Sequence, residues 1–446
     1  MLRNRPAFYL IVLTQTFSLI GSRLTAVGMG IWVFQTTGNT TPLLLTAFFN
    51  ELPGMLGGSL VGVLIDRWDR RKVMILADSG QALGSLLLLA SLVSGQFQVW
   101  HLYGVALLQG IFGIFQQPTQ DAVVTLLIPD DRRDRANAIR QMSFPLAGVV
   151  APAVAGMLYV WVGIAGIIVV DLTTFLIAVA AVTLIHVPRP PDSQESLAAR
   201  GHWLREMLGG FHFLAARPAL LLYVLYITLM NFMLNGPLEL AIPYMILKTG
   251  SEQVAGGLLS LMSLGALLGG ALVAVRGKVH RRLLAQLSVM LLCGLMFLIY
   301  GAATTPWLLG ASILLLMIPL PIGGAMQVSV FQSKTPPDMQ GRIFASLSQL
   351  GFLGSTTSFL LTGWLVDRYL EPAVGGPGWE RWAALAGNAP GSGMGLLLFL
   401  TGLIILAATL VMIGIPAVRQ LEATLPDYPT PETPSAILSV EPVEPN

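Results

Sequence analysis

Apolar residues run along this chain in stretches of about 20, the length that crosses the hydrocarbon core of a bilayer as a helix. The stretches fall near 8–34, 41–65, 73–94, 99–127, 138–162, 164–187, 218–248, 252–275, 282–301, 305–333, 342–367 and 393–416. Short breaks with turn chemistry separate them, among them Thr37-Gly38-Asn39, Gly95-Gln96 and Lys248-Thr249-Gly250. The pattern predicts an all-α membrane protein of twelve transmembrane helices. The first stretch follows Arg3 and Arg5, has no A-x-A site after it, and is soon followed by a second. It reads as a retained helix rather than a signal peptide.

Charge placement supports the same reading. Only 11% of the 446 residues are charged and 54% are hydrophobic, whereas a soluble chain carries roughly 25% charged residues. There are too few ionic groups to cover a water-facing surface. Of the 25 Lys and Arg, all but four fall on one side when the twelve spans alternate. Lys248, Arg368 and Arg381 take the other side, and Arg23 lies inside a span. The positive-inside rule then predicts both termini in the cytoplasm. The single cysteine, Cys293, excludes an intramolecular disulfide and a cysteine metal cluster.

The longest basic-side connection divides six spans from six. The expected organisation is a bundle over 1–187, a central loop over 188–217, a second bundle over 218–416 and a disordered tail over 417–446. The central loop carries Trp203, Leu204, Met207, Leu208, Phe211 and Phe213 between charges, the pattern of an amphipathic helix on the inner leaflet. Trp379 and Trp382, in the loop 368–392, read as interfacial anchors. The halves also resemble each other. Gly57-Gly58…Asp66-Arg67-Trp68-Asp69-Arg70-Arg71 matches Gly269-Gly270…Arg276-Gly277-Lys278-Val279-His280-Arg281-Arg282. Two repeats that start on the same side imply a substrate site between them near the midplane.

The string Gly62-Val63-Leu64-Ile65-Asp66-Arg67-Trp68-Asp69-Arg70-Arg71-Lys72 resembles the loop signature of the major facilitator superfamily. Its wording is similar to the branch that holds macrolide-efflux proteins and the enterobactin exporter. The resemblance implies two six-helix bundles and a conformational latch built from Asp66, Arg67, Arg70, Arg71 and Asp121. Asp69 stands where the wider family has Gly; Asp tolerates a left-handed turn, so the turn is expected to survive. In span five, Ala147, Gly148, Ala151, Pro152, Ala155 and Gly156 resemble the antiporter signature G-x-x-x-G-P-x-x-G-G, with alanines for three glycines. Ordinary tight helix packing is the alternative reading of that stretch.

An ionisable group at membrane depth is a functional candidate by default. Arg23, Glu51, Asp171 and Glu239 are singled out on that ground. At 1.5 Å per residue, Arg23, Glu51 and Asp171 lie about 22, 21 and 24 Å from the basic side and are expected to form one cluster. Arg23 and Glu51 are either a permanent ion pair, a pair that opens to let Glu51 or Asp171 take a proton, or groups that bind the substrate directly. Glu239 follows Asn235-Gly236-Pro237, which should break or bend span seven. It is either a gate carboxylate or an interfacial group in contact with water.

The resemblance implies that spans one, four, seven and ten line the cavity, which brings in Gln15, Gln116, Asn231, Asn235 and Gln327. Sparse amides among aromatics and methionines suit an amphipathic ligand better than a sugar. There is no G-x-x-x-x-G-K-[ST] loop and no zinc-type spacing. The expectation is a monomeric, cofactor-free, metal-free exporter of small amphipathic molecules in a bacterial plasma membrane. It would be driven by protons, with the lipid bilayer as its surroundings and no nucleic-acid partner. The rival readings are an importer or lysophospholipid flippase of the same fold, or a non-transporting sensor.

Overall fold

A computed structural model describes residues 5–127, 139, 142–184, 212–275, 281–336, 339–425 and 428, apart from the side chains of 5–6, 58–67, 70, 117–118, 120–127, 274 and 341. The described residues are almost wholly helical and contain no strand. In lipid every backbone N–H and C=O must be satisfied within the segment, and the helix does this without a partner.

Twelve spans result. Span one is Arg5–Thr37, span two Thr41–Arg67, span three Arg70–Val93 and span four Val99–Leu127. Spans five and six are one continuous run, Ser143–Leu184, turned sharply at Gly163, whose φ of 65° is open to glycine at no steric cost. Span seven is broken into Pro218–Glu239 and Ala241–Thr249 at Leu240, just after Pro237, where the sequence predicts the bend. Span eight is Glu252–Val275 and span nine Arg282–Gly301. Span ten is also interrupted, as Pro306–Met317 and Pro319–Lys334, because Pro319 has no N–H to donate back. Span eleven is Gln340–Leu365 and runs into a π-helical turn, Val366–Leu370; span twelve is Ser392–Gly414. Nine of the described helices are long and apolar enough to cross a membrane, and the run Ser143–Leu184, counted once among them, supplies two spans.

Leu13, Leu86, Trp161, Leu176, Leu361 and Val411 are exposed. They make the lipid-facing surface that a water-soluble protein would hide. The bundles meet along two seams. Span two packs on span eleven, and span five on span eight. The end at which span three begins and span six finishes is called here the basic end, after the charge bias of the sequence.

Three expectations are corrected. The tail does not become irregular at 417: Pro416–Arg419 and Leu421–Thr424 are helical, and Val418 and Leu421 are fully buried. Glu422 accepts from Arg282 N (3.1 Å) and Leu283 N (3.3 Å), capping span nine, while Lys334 Nζ donates to Glu422 O (2.5 Å) and Leu425 O (2.7 Å). Residues 429–446 lie outside the described residues. Trp379 is not an interfacial anchor but is buried, its indole N–H on Gly387 O at 2.9 Å; Trp382 is exposed. Asp69 is not left-handed: with φ −65° it caps span three, accepting from Arg71 N (3.0 Å) and Lys72 N (3.5 Å). A carboxylate that caps a helix gains from the N-terminal N–H groups what a glycine could not offer. The amphipathic segment expected over 188–217 lies outside the described residues up to 211; Phe213 and Leu214 beyond it are buried.

Candidate functional site

A cavity of 620 Å³ lies between the bundles and is lined from both. Its walls are mostly apolar, with Met29, Val33, Leu43, Phe175, Phe352 and Phe359. Three carboxylates face it: Glu51 from span two, Asp171 from span six and Glu239 from span seven. Asn50, Gln81 and Gln109 add neutral polar groups.

These groups do not pair as the depth argument expects. Glu51 accepts a hydrogen bond from Ser355 Oγ of span eleven at 2.5 Å, across the bundle boundary. Arg23 stacks on the Phe144 ring of span five, its guanidinium carbon 4.1 Å from the ring centroid. The carboxylate whose charge acts on Arg23 is Glu239 of the other bundle, and Glu51 in turn acts on Glu239. Asp171 stands apart, held by hydroxyls: Ser85 Oγ at 2.9 Å, Thr25 Oγ1 at 3.1 Å and Ser22 Oγ at 3.4 Å. Gly21 permits this approach, since a Cβ there would sit 2.2 Å from Thr174 Oγ1 and 3.0 Å from Asp171 Oδ1. The cluster expected of Arg23, Glu51 and Asp171 is therefore two groups, and Glu239 joins the first.

The five amides predicted for the cavity are absent from its lining. Gln15 and Gln116 instead turn to Asp78 of span three, a buried carboxylate that the sequence reading passed over. Gln15 Nε2 donates to Asp78 Oδ2 (2.7 Å) and Gln116 Nε2 to Oδ1 (2.9 Å). Asn231 and Asn235 donate back to their own helix, to Ile227 O (3.0 Å) and Asn231 O (2.8 Å). Gln327 accepts from Gln286 Nε2 at 3.5 Å inside the second bundle. Each amide is paired within the protein. The signal for Asp78 is plain in retrospect: an ionisable residue inside the apolar run 73–94.

In the basic-end motif, the side chains of Asp66, Arg67, Arg70 and Asp121 lie outside the described residues. Arg71 donates through Nε to Val182 O (3.1 Å) and through Nη2 to Thr183 O. It thus closes the C-terminal carbonyls of span six, where a cation is favoured. The span-five stretch is buried at Ala147, Gly148, Ala151, Pro152, Ala155 and Gly156, and it packs against span eight. A Cβ at Gly156 would fall 2.9 Å from Glu252 O, and one at Gly256 would fall 2.6 Å from Pro152 O. Ser260 Oγ donates to Val149 O at 2.7 Å. The small residues are what let these two backbones touch.

At the end away from the basic loops, Asp367, on the π-helical turn after span eleven, caps span two of the other bundle. Its Oδ1 accepts from Thr40 N and Thr40 Oγ1, both at 2.9 Å, and its Oδ2 from Thr41 N at 2.6 Å. Gln35 Nε2 donates to Glu252, and Tyr159 O–H to Gln35 Oε1 at 2.6 Å. Nearby, Glu371 lies outside the spans and accepts from Met394 N (2.9 Å) and Gly391 N (3.3 Å). Burial pushes its carboxyl above the usual range, against the pull of those N–H donors and of Lys248. Among the described residues, the hydrogen bonds joining the two bundles sit at this end or at mid-depth.

The sequence model of the Major Facilitator Superfamily matches residues 11–359. Macrolide efflux protein A of Streptococcus pyogenes is 26% identical over 387 residues, 85% of this chain and 92% of that protein. The enterobactin exporter EntS of Shigella flexneri is 26% identical over 377 residues, 82% of this chain and 86% of that protein. A solved bacterial homolog of the human lysosomal transporter Spinster, inward-facing and unoccupied, superposes with a TM-score of 0.66 at 15% identity, covering 92% of this chain and 95% of that one. A point mutant of the nucleoside transporter NupG superposes with a TM-score of 0.72 at 11% identity, covering 91% of this chain and 99% of that one. At such identities the structures speak for the fold alone.

Proposed function

Because the chain belongs to the Major Facilitator Superfamily, we propose that it exports small amphipathic molecules from a bacterial cytoplasm by alternating access, in exchange for protons. The basic end faces the cytoplasm in this reading, as the charge bias predicts. The observation that carries it is the make-up of the cavity: aromatic and aliphatic walls, a few amides, and carboxylates from both bundles. Apolar walls hold the greasy part of a ligand, and sparse polar groups orient it. Carboxylates at the bundle boundary tie protonation to the relative position of the bundles. Glu51 bonded to Ser355 holds spans two and eleven together, and a change of charge on Glu51 or Glu239 alters that attachment. Similarity to exporters of a macrolide and of enterobactin over more than four fifths of the chain supports the outward direction.

The latch of Asp66, Arg67, Arg70, Arg71 and Asp121 acts in this scheme at the basic end. It holds that end shut while the other opens. The substrate leaves chemically unchanged.

The test is uptake into everted and right-side-out vesicles carrying the protein, with a macrolide antibiotic and enterobactin as separate probes. Accumulation in everted vesicles under an inside-acid gradient, abolished by a protonophore, is the expected result. Accumulation only in right-side-out vesicles would make the protein an importer. Protonophore-insensitive uptake would remove the proton from the scheme. Asp66→Asn is expected to slow uptake while the protein stays folded; unchanged uptake would remove the latch.

A further inference from the structure

Two carboxylates in the first bundle are almost wholly shielded from solvent, Asp78 at 0% and Asp171 at 1% exposure. Among the described residues no basic side chain stands within ion-pair distance of either. Their partners are all neutral. A polar ladder joins them. From Asp78 Oδ1 it passes to Gln116 Nε2 (2.9 Å), and from Gln116 Oε1 to Gln81 Nε2 (3.3 Å). The Gln81 backbone carbonyl then accepts from Gln109 Nε2 (3.5 Å), which also donates to Ser85 Oγ (3.3 Å). Ser85 Oγ donates to Asp171 Oδ2 (2.9 Å).

We propose that Asp78 and Asp171 are a linked pair of proton-binding sites within the first bundle, the state of one being felt at the other through Gln116, Gln81, Gln109 and Ser85. The partner types are the reason. An arginine or a backbone N–H can only donate, so it serves one form of a carboxyl group. A carboxamide presents either NH2 or C=O by rotating, and a hydroxyl both donates and accepts. Asp78, flanked by Gln15 and Gln116, and Asp171, flanked by three hydroxyls, can therefore hold or shed a proton without orphaning a buried polar atom. The amides carry no proton themselves. When Asp78 gains one, Gln15 or Gln116 turns a carbonyl toward the new O–H and the Gln81 side chain answers. The Gln81 backbone carbonyl cannot turn, so Asp171 feels the change through a shift in the position of Gln81, and with it Gln109 and Ser85, and through the lost charge. Groups linked in this way titrate as a pair.

Geometry assigns them different contacts. Asp171 lines the cavity. Asp78 is not in the lining and lies about 12 Å from the start of span three at the basic end, against about 20 Å for Asp171 measured from the end of span six. Spans four and six pack against span three, and span two touches it. Among the described residues, the charged and titratable groups around the pair on these elements and on span one, which packs on span six, are Arg23, beside Ser22 on span one but turned to Phe144, Glu51 and Glu239 across the cavity, and Arg71 of span three, which reaches the far tip of span six. A role for the pair in export rests on the proposed proton exchange; proton binding itself does not.

The test is infrared pH-difference spectroscopy on the full chain in lipid vesicles without any ligand. Among the carboxyl C=O bands of the wild type, one is expected to belong to Asp78 and one to Asp171. Asp78→Asn should remove one and shift the other, Asp171→Asn the converse, and Gln109→Leu should keep both while abolishing the mutual shift. Should Asp78→Asn fail to fold, Asp78→Glu is read instead, as a displaced band. A spectrum unchanged by a folded Asp78 variant overturns the proposal. Independent bands in the absence of any mutual shift overturn the linkage. In parallel, Asp78→Asn should lower gradient-driven macrolide uptake into everted vesicles. Unchanged uptake despite a lost band removes the pair from coupling. Absence of uptake by the wild type sinks the export reading and leaves the bands to decide the pair.

Discussion

Asp367 makes three hydrogen bonds to the first turn of span two from the opposite bundle, at 2.9, 2.9 and 2.6 Å. That arrangement exists only while the bundles are together at the end away from the basic loops. Asp367→Asn keeps one carbonyl oxygen but sets an NH2 where the second oxygen was. One backbone N–H then loses its acceptor. An unsatisfied N–H at such a site costs about 1–3 kcal/mol, and loss of the negative charge at a helix N-terminus about 0.3–1 kcal/mol. Taking about 2 kcal/mol for the sum, the ratio of open to closed at this end rises about 30-fold. A state populated at about 1% would reach about a quarter of the molecules. Gln96 and Glu380 are exposed at this end, one in each bundle. Spin labels on cysteines there, in a background where the buried Cys293 is replaced by serine, would report the separation by pulsed electron resonance. The variant should gain a population at longer distance. A distribution identical to that of the parent, in a protein of unchanged thermal midpoint, would refute the idea that this cap holds the end shut.

Other perturbations follow from the same geometry. Glu51→Gln keeps an acceptor for Ser355 but removes the charge; it should depress gradient-driven uptake and spare downhill exchange, and equal loss of both would mark Glu51 as purely structural. Gly256→Val pushes a Cβ to 2.6 Å from Pro152 O, whereas Gly257 has open space. Overpacking of that kind costs about 1–3 kcal/mol, so the first should lower the thermal midpoint and Gly257→Ala should leave it in place. Glu371 has its carboxyl raised in the folded state, chiefly by burial. The native protein then binds more protons than the unfolded chain between the ordinary glutamate range and the raised one, so stability falls as pH rises through that window. Glu371→Gln should flatten this part of the profile of thermal midpoint against pH; an unchanged slope would point to another group.

Much of the architecture is legible in the residues because the information is local. An apolar run either reaches the span of a bilayer or does not, and basic residues mark one side by their count alone. The broken span seven follows from Pro237 for the same reason, a missing donor at a known place. Span ten carries an equal signal at Pro319. The cap at Asp69 also depends only on neighbours in the chain.

Partnership among buried polar groups was decided by the tertiary structure. Rise per residue sets the depth of Arg23 and Glu51 but says nothing about the direction in which each helix turns them. Their azimuths send Arg23 to Phe144 and Glu51 to Ser355, a residue 304 positions away in sequence. Glu239 enters the same group only because both bundles close on one cavity. Gln15 and Gln116 are polar residues on spans one and four, and the sequence shows only that they are there. That they serve Asp78, and through the ladder Asp171, depends on how four helices rotate against one another to satisfy these buried groups, and no local pattern records that rotation.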